Sequence, residues 1–417
     1  AGVDRTMLID PDALLVQHHV AALANATFRQ PSGVLKYPYL VPAGPYEQMW
    51  DWDSLFMGVA LDEYGSRPYL AGTMKNFLDH TNTTTGEVQG CLTPTGSTGI
   101  IYHAKPVIVQ GAWLSCKSNK TAAAEFLQFE PQMKALLEYW SRPPRYHDLG
   151  GGDGLYTWHD QLQSGADNLV ISECPSPLST SCWNETSDAN ALASVDLPMF
   201  LAREHKAFSL FHSVWARLSS NLLESARHTS LAQAHKATGD RILAQMDKWL
   251  WSESAGYYVA RDVQTNITAT NRVYLMGFPL WGGIATEEHA ARIAANLLRR
   301  DMFSTWGVRS TSSADPRYSN ADEIKPYSNW RGPVWTNANA VLAYGLSHYP
   351  SLQHHAQAIA AAVVGGLAED LRRTSTWHEC LSSDSGAGLA AAGFLSWNTL
   401  GGRLKENVAA GTDPFAL

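Results

Sequence analysis

Three segments of this chain set carboxylates among aromatic and glycine-rich neighbours: Gln48-Met-Trp-Asp-Trp-Asp-Ser54, Gln163-Ser-Gly-Ala-Asp-Asn168 and Trp377-His-Glu-Cys380. A fourth, Asn329-Trp-Arg-Gly-Pro-Val-Trp335, brings indoles and an arginine in the same setting. Carboxyls in such a setting suit hydrolysis of a glycosidic bond. One protonated carboxyl donates to the departing oxygen, and one ionised carboxylate activates water or attacks the sugar. Aromatic neighbours raise one pKa by desolvation, while amides or an arginine hold sugar hydroxyls. The chain carries 15 Trp in 417 residues, more than a core requires. Flat indole faces cover the C–H faces of pyranose rings, although plain core packing is the competing role for each of them.

Other chemistries lack their signatures. The sequence has no Gly-x-Ser-x-Gly elbow, no phosphate-cradling glycine loop and no His-Glu-x-x-His helix. His18–His19 and His354–His355 fall in predicted helices, where adjacent side chains diverge, and read as surface histidines. His378 beside Glu379 has no further ligands at metal spacing. The expectation is a reaction without cofactor or metal, with a structural Ca²⁺ in the Asp/Asn-rich stretch 315–323 left open.

The elements that must position these loops are helices. Thr286 is placed to cap a helix whose apolar residues Ala290, Ile293, Ala294, Leu297 and Leu298 form one stripe. Ile242, Met246 and Leu250 repeat that spacing up to Trp251, and segments 11–28, 193–225 and 352–372 also read as helices. Period-2 alternation is scarce, with Lys105–Gln110 as a strand candidate. Long loops at 42–54, 142–190, 301–337 and 374–399 separate the helices, and no disordered linker divides the chain. The expectation is one all-α domain over residues 1–417 with functional loops at one end.

Composition narrows the partners. Net charge is −8 without a long basic run, which argues against nucleic acid. No stretch approaches the roughly 20 apolar residues of a membrane span. Five cysteines suggest the pairs Cys174–Cys182 and Cys91–Cys116 with Cys380 left over, and sequons stand at Asn25, Asn82, Asn119, Asn184 and Asn266. Together these suggest a secreted or secretory-pathway glycoprotein. No leader is visible ahead of Ala1, which reads as a processed start.

The four loops, in this order, resemble the signature of family 63 glycoside hydrolases, which include processing α-glucosidase I and the mannosylglycerate and glucosylglycerate hydrolases, with trehalases related more distantly. The matching residues are Trp52-Asp53-Ser54, then Ser164, Gly165, Asp167 and Asn168, then Trp330 to Trp335. A last group comprises Glu379, Gly386, Gly388, Phe394, Ser396 and Trp397. The similarity spans about residues 40 to 400. It implies an (α/α)6 barrel and an inverting reaction, with Asp167 as general acid and Glu379 as general base, roughly 6.5–9.5 Å apart. The aromatic loop residues and their neighbours become the substrate-binding set: Trp50, Trp52, Asp53, Gln48, Gln163, Trp330, Arg331, Gly332, Trp335, Tyr39, His378 and Trp397.

Structural alternatives accompany these roles: Asp51 or Asp53 as the cap of a helix over 54–61, Arg331 in a buried ion pair, and Trp397 as core. The late loop departs from the family in placing Cys380 after Glu379, which leaves Asp384 as the alternative base. The Asn168–Ile171 stretch lacks the Pro-Arg that often follows in the family. The compact length resembles members acting on glucosylglycerate or mannosylglycerate. Lys36, Tyr39, Lys105, Arg309 and Lys325 are the candidates for receiving an anionic aglycone. The chain is expected to work on a small carbohydrate as a monomer or simple homo-oligomer. A trehalase-like or oligosaccharide α-glucosidase is the alternative. An (α/α)6 epimerase or a non-catalytic sugar-binding protein are the readings from other classes.

Overall fold

The computed structural model describes residues 10–97, 103–117, 119–159, 161–169, 171, 192–322 and 328–417. Thirteen α-helices run in chain order among these: α1 (Pro11–Leu23), α2 (Asp51–Ala60), α3 (Arg67–Asp79), α4 (Ile108–Cys116), α5 (Lys120–Glu125), α6 (Glu130–Trp140), α7 (Gln161–Ser164), α8 (Asp196–Leu218), α9 (Leu222–Leu250), α10 (Glu287–Leu297), α11 (Thr336–Ser347), α12 (Gln353–Thr374) and α13 (Leu404–Ala410). Two longer 3₁₀ windings, Tyr274–Gly282 and Ser396–Gly402, act as helices of the same architecture.

Six of these elements form a closed inner ring. Contacts run from α2 to α4, α8, the 274–282 winding, α11, the 396–402 winding and back to α2. Their sequences explain the position. Every residue of α4 is buried, as are Thr336–Leu346 of α11, so these helices are apolar or small on all sides rather than striped. Gly345 lets α11 close on the 274–282 winding, because an added Cβ would stand 2.7 Å from the Trp281 amide nitrogen.

The outer layer is amphipathic. α3 packs on α2 and α4, α9 on α8, α10 on the 274–282 winding, and α12 on α11 with α1 behind it. Thr286 caps α10 by accepting from the His289 amide, and Ala290, Ile293, Ala294 and Leu297 are buried as the spacing predicts. Ile242, Met246 and Leu250 form the buried stripe of α9. This two-layer helical ring is the (α/α)6 barrel.

Three expectations are corrected. The strand candidate Lys105–Gln110 instead turns into α4, because its apolar run is enclosed on all sides by inner-ring neighbours. Trp50, and neither Asp51 nor Asp53, occupies the N-cap of α2. Cys91 and Cys116 do not form a disulfide. Cys91 lies on the short strand Cys91–Thr93, whereas Cys116 ends α4 and its thiol donates to the Ala112 carbonyl. Cys174, Cys182 and Asn184 lie outside the described residues. No helix among those described is long and apolar enough to cross a membrane.

Candidate active site

The motif loops converge on one cleft. Its wall comprises Pro42, Tyr46, Trp50, Trp52, Asp53, Lys105, Leu162, Gly165, Asp167, Ser328, Trp335, Glu379, Phe394 and Trp397.

Asp53 is delivered by the first turn of α2. A short antiparallel pairing of Met49–Trp50 with Cys91–Leu92 aims the helix start, and the Asp51 amide donates to the Gly90 carbonyl. Asp51 turns away from the cleft space. Its carboxylate accepts from the Lys105 amide at 2.7 Å and lies 3.3 Å from the Lys105 ammonium. Asp53 is buried and accepts from the Ser396 hydroxyl at 2.6 Å. Burial pushes its pKa up to about 7, and the neighbouring Asp51 charge adds to that.

Asp167 follows α7 through Gly165, whose φ of +81° suits glycine. A Cβ at that position would stand 2.6 Å from the Trp52 ring and 2.7 Å from Lys105 Cε, so both side chains reach the cleft only past a glycine. One Asp167 oxygen accepts from the Ser328 amide at 3.0 Å and its hydroxyl at 2.8 Å. The adjoining Asn168 joins the two central motifs. Its side chain accepts from the Trp330 amide and its carbonyl from Arg331 Nε.

Glu379 lies on the hairpin of His378–Leu381 with Gly388–Ala392, at a register shift between His378 and Cys380. Such bulges re-aim a side chain. Leu381 pairs with Val334 through both backbone bonds, which fixes the hairpin against the Trp330–Trp335 motif. Tyr46 donates its hydroxyl to Glu379 Oε2 at 3.1 Å, and Trp397 donates its indole N–H to the Glu379 carbonyl. Burial first, then the charges of Asp53 and Asp167, lift the Glu379 pKa to about 8 against the opposing Tyr46 bond.

Of the sequence-derived set, Asp167, Glu379, Trp50, Trp52, Asp53, Trp335 and Trp397 wall the cleft. Trp330 is fully buried and stacks face to face on Trp335 with centroids 3.9 Å apart, as a backing plate rather than a sugar platform. Arg331 braces the Asn168 carbonyl instead of a buried ion pair. Gly332 admits the Ser319 carbonyl, 2.5 Å from where a Cβ would be. Gln163 accepts from the His159 amide, and His378 shares its Nδ1 with Asp370 at 3.0 Å. Tyr39 is buried in a short strand against Arg29. Gln48 lies off the wall, but its buried Oε1 has no hydrogen-bond partner among the described residues, nor does the indole nitrogen of the wall residue Trp50.

The alternative base Asp384 lies outside the cleft wall and accepts from Tyr318 and Asn320. Of the aglycone candidates, Lys36 pairs with Asp79 and Arg309 bonds the Arg300 carbonyl. Lys325 lies outside the described residues, so Lys105 alone of the described candidates stands on the wall. Asp315, the proposed start of a Ca²⁺ loop, is paired with Arg317 and Asn271.

Sequence reasoning missed Tyr46, Ser328 and Leu162. Ser328 directly precedes the Asn329–Trp335 motif, and Tyr46 lies two residues before the first motif loop, but neither residue type signals a role without the fold.

Acidic side chains converging among indoles at the mouth of a helical toroid define a glycoside hydrolase of the (α/α)6 class. The chain belongs to the family described as the mannosylglycerate hydrolase MGH1-like glycoside hydrolase domain, which matches residues 46–397. A periplasmic trehalase of Escherichia coli is 20% identical over 378 residues, covering 82% of this chain and 64% of the relative, just under two thirds of its length. Among solved structures, the neutral trehalase of Saccharomyces cerevisiae superposes with a TM-score of 0.63 at 16% identity, covering 91% of this chain and 76% of that one. The family 63 mannosylglycerate hydrolase of Thermus thermophilus with bound Tris gives 0.61 at 16% identity, covering 93% and 99%.

Proposed function

We propose that residues 1–417 act as one catalytic unit that hydrolyses a small α-glucoside or α-mannoside with inversion. In this mechanism Asp167 protonates the leaving oxygen, Glu379 activates the attacking water, and Asp53 accepts from sugar hydroxyls. The observation that carries the reading is convergence. Asp53, Asp167 and Glu379 come from segments spread over more than 300 residues, yet wall one cleft with Trp50, Trp52, Trp335 and Trp397. Trp50 offers a sugar oxygen an indole N–H that has no partner among the described residues, and a buried donor of this kind calls for one.

Glucosylglycerate and mannosylglycerate lead the substrate classes. Lys105 supplies a cation on the wall for a glycerate carboxylate, although Asp51 already offsets part of its charge. Trehalose is the runner-up, supported by the relative named as a trehalase. An epimerase working through paired histidines finds no histidine on the described wall. Passage through the secretory pathway is supported by Asn25, Asn82, Asn119 and Asn266, which are all exposed.

One observation favours reversed roles. Burial and the charges of Asp53 and Asp167 raise the Glu379 carboxyl to about 8, so the primary assignment requires it to give up its proton once substrate binds. Activated substrates separate the two, because fluoride departs without a proton. The test is hydrolysis of glucosylglycerate, mannosylglycerate, trehalose, kojibiose, nigerose and the α-glycosyl fluorides by wild type, Asp167→Asn and Glu379→Gln, with product anomers followed by NMR. Release of β-sugar, with fluoride hydrolysis kept by Asp167→Asn and lost by Glu379→Gln, is the expected outcome. The opposite pattern reverses the roles, and α-sugar as first product overturns inversion.

A further inference from the structure

Far from the cleft, the hairpin of α8 and α9 buries histidines that hydrolysis does not use. His212 on α8 and His228 on α9 face each other with Nδ1 atoms 2.9 Å apart. Glu130, the first residue of α6, stands beside them, and one potential ligand atom from each of the three lies within 4.8 Å of the others. His212 and His228 are buried and Glu130 is half-buried. His212 is sixteen residues beyond Asp196, the first residue of α8, or about 24 Å along the helix.

We infer that Glu130, His212 and His228 form a binding site for a divalent transition metal of the zinc class, which ties α6 to the α8–α9 hairpin. Two imidazoles and a carboxylate, with a fourth position for water, are a recurrent zinc donor set. A tetrahedral zinc holding nitrogens at about 2.0–2.1 Å sets them about 3.3 Å apart, so the two rings need to part by only a few tenths of an ångström.

The protons in this cluster reveal what holds the site without metal. Arg227 Nη2 lies 3.2 Å from His228 Nε2, and a guanidinium has no acceptor, so that nitrogen must accept. The His228 proton therefore sits on Nδ1 and is donated to His212 Nδ1. Arg227 also grips both Glu130 oxygens, at 2.7 and 3.0 Å. A metal on His228 Nδ1 shifts that proton to Nε2, where it would face the guanidinium donor. Arg227 must then leave, giving up Glu130 at the same time. Its side chain is substantially exposed and retains Glu224 at 2.9 Å as an alternative partner. Arg227 is thus the built-in competitor of the metal.

The test uses the full chain, freed of metal by a chelator. Zn²⁺ affinity is measured by competition with a chromophoric chelator, and Co²⁺ is followed by its visible absorption bands. The expected result is one metal per chain with a tetrahedral Co²⁺ spectrum. Affinity should fall at least about tenfold in His212→Gln, His228→Gln and Glu130→Gln, and rise in Arg227→Ala, while turnover of glycoside stays unchanged. Glu130→Gln and Arg227→Ala lie at the edge of the cluster and keep the test informative if a histidine variant fails to fold. The inference is overturned by absence of stoichiometric binding, by binding that survives these substitutions unchanged, or by weaker binding in Arg227→Ala.

Discussion

The cleft carboxyls and Glu204 present the same electrostatic symptom in two different settings. Asp53 and Glu379 are raised to about 7 and about 8, and Glu204, buried on α8, is raised to about 7. Burial is the leading cause in all three. Glu204 spends its oxygens on the Val109 and Gln110 amides, at 3.0 and 2.8 Å, and so anchors the first turn of α4. Nothing remains of it to offer a substrate. Glu379 takes one tyrosine bond and shares its space with two other carboxyls. A raised pKa therefore marks function only where several acids face a common void, and elsewhere it marks a carboxylate used as structural cement.

Substitution breaks this comparison most strongly at the cleft. Glu379→Gln should lose about 10²–10⁴-fold in turnover on the natural substrate while folding normally. It should also melt higher than wild type at pH 8. The sign follows from linkage: a carboxyl raised in the folded state adds stability below its ordinary pKa and loses it as pH rises through about 8. The amide removes that loss, so calorimetry at pH 8 should show a gain on the order of a few degrees. Glu204→Gln should do the reverse in the neutral range, keeping activity and losing stability, because an amide presents only one acceptor oxygen to the two α4 amides. Equal activity losses in both variants would erase the distinction.

The hairpin histidines give the next effect. Burial holds His205 and His212 down to about 3 and His235 to about 4. Groups depressed in this way stabilise above the ordinary histidine pKa, and that contribution is lost as pH falls toward 3–4. Metal-free protein should therefore unfold in acid with uptake of protons by this cluster, and His235→Gln should move the acid midpoint to lower pH. The smallest effect belongs to Tyr46→Phe. Removing its bond to Glu379 should raise that pKa and shift the acid limb of kcat/KM upward by less than about one unit, with modest loss of kcat.

Much of the scaffold was legible because its signals are local. Thr286 with its stripe of apolar residues specifies α10, and the four motif loops announce Asp53, Asp167 and Glu379 by residue type. What stayed hidden depends on closure of the ring. The Ser328 clasp on Asp167 spans 161 positions and the Tyr46 bond to Glu379 spans 333, and neither has a periodic or compositional signature. The inner winding 274–282 stayed unassigned for a related reason, whereas the Phe394-x-Ser396-Trp397 segment was readable as a helix through the family resemblance. Pro279 and the glycines of 274–282 interrupt a helical pattern, and only enclosure by neighbours makes that winding a ring member. Gly332 and Trp330 show the converse, since a motif residue need not face the substrate to be required by it.

The bond between Asp53 and Ser396 joins positions 343 apart and lies where the last inner element meets the first. During synthesis, the early carboxyl must wait until position 396, 343 residues later, before its partner exists. Contacts of such sequence separation form late and slowly. A nascent chain stopped before residue 396 would own every candidate catalytic carboxyl yet lack the ring closure that gathers them. Closure of the ring, and with it the gathering of the cleft carboxyls, thus arrives in one step once this element has been made.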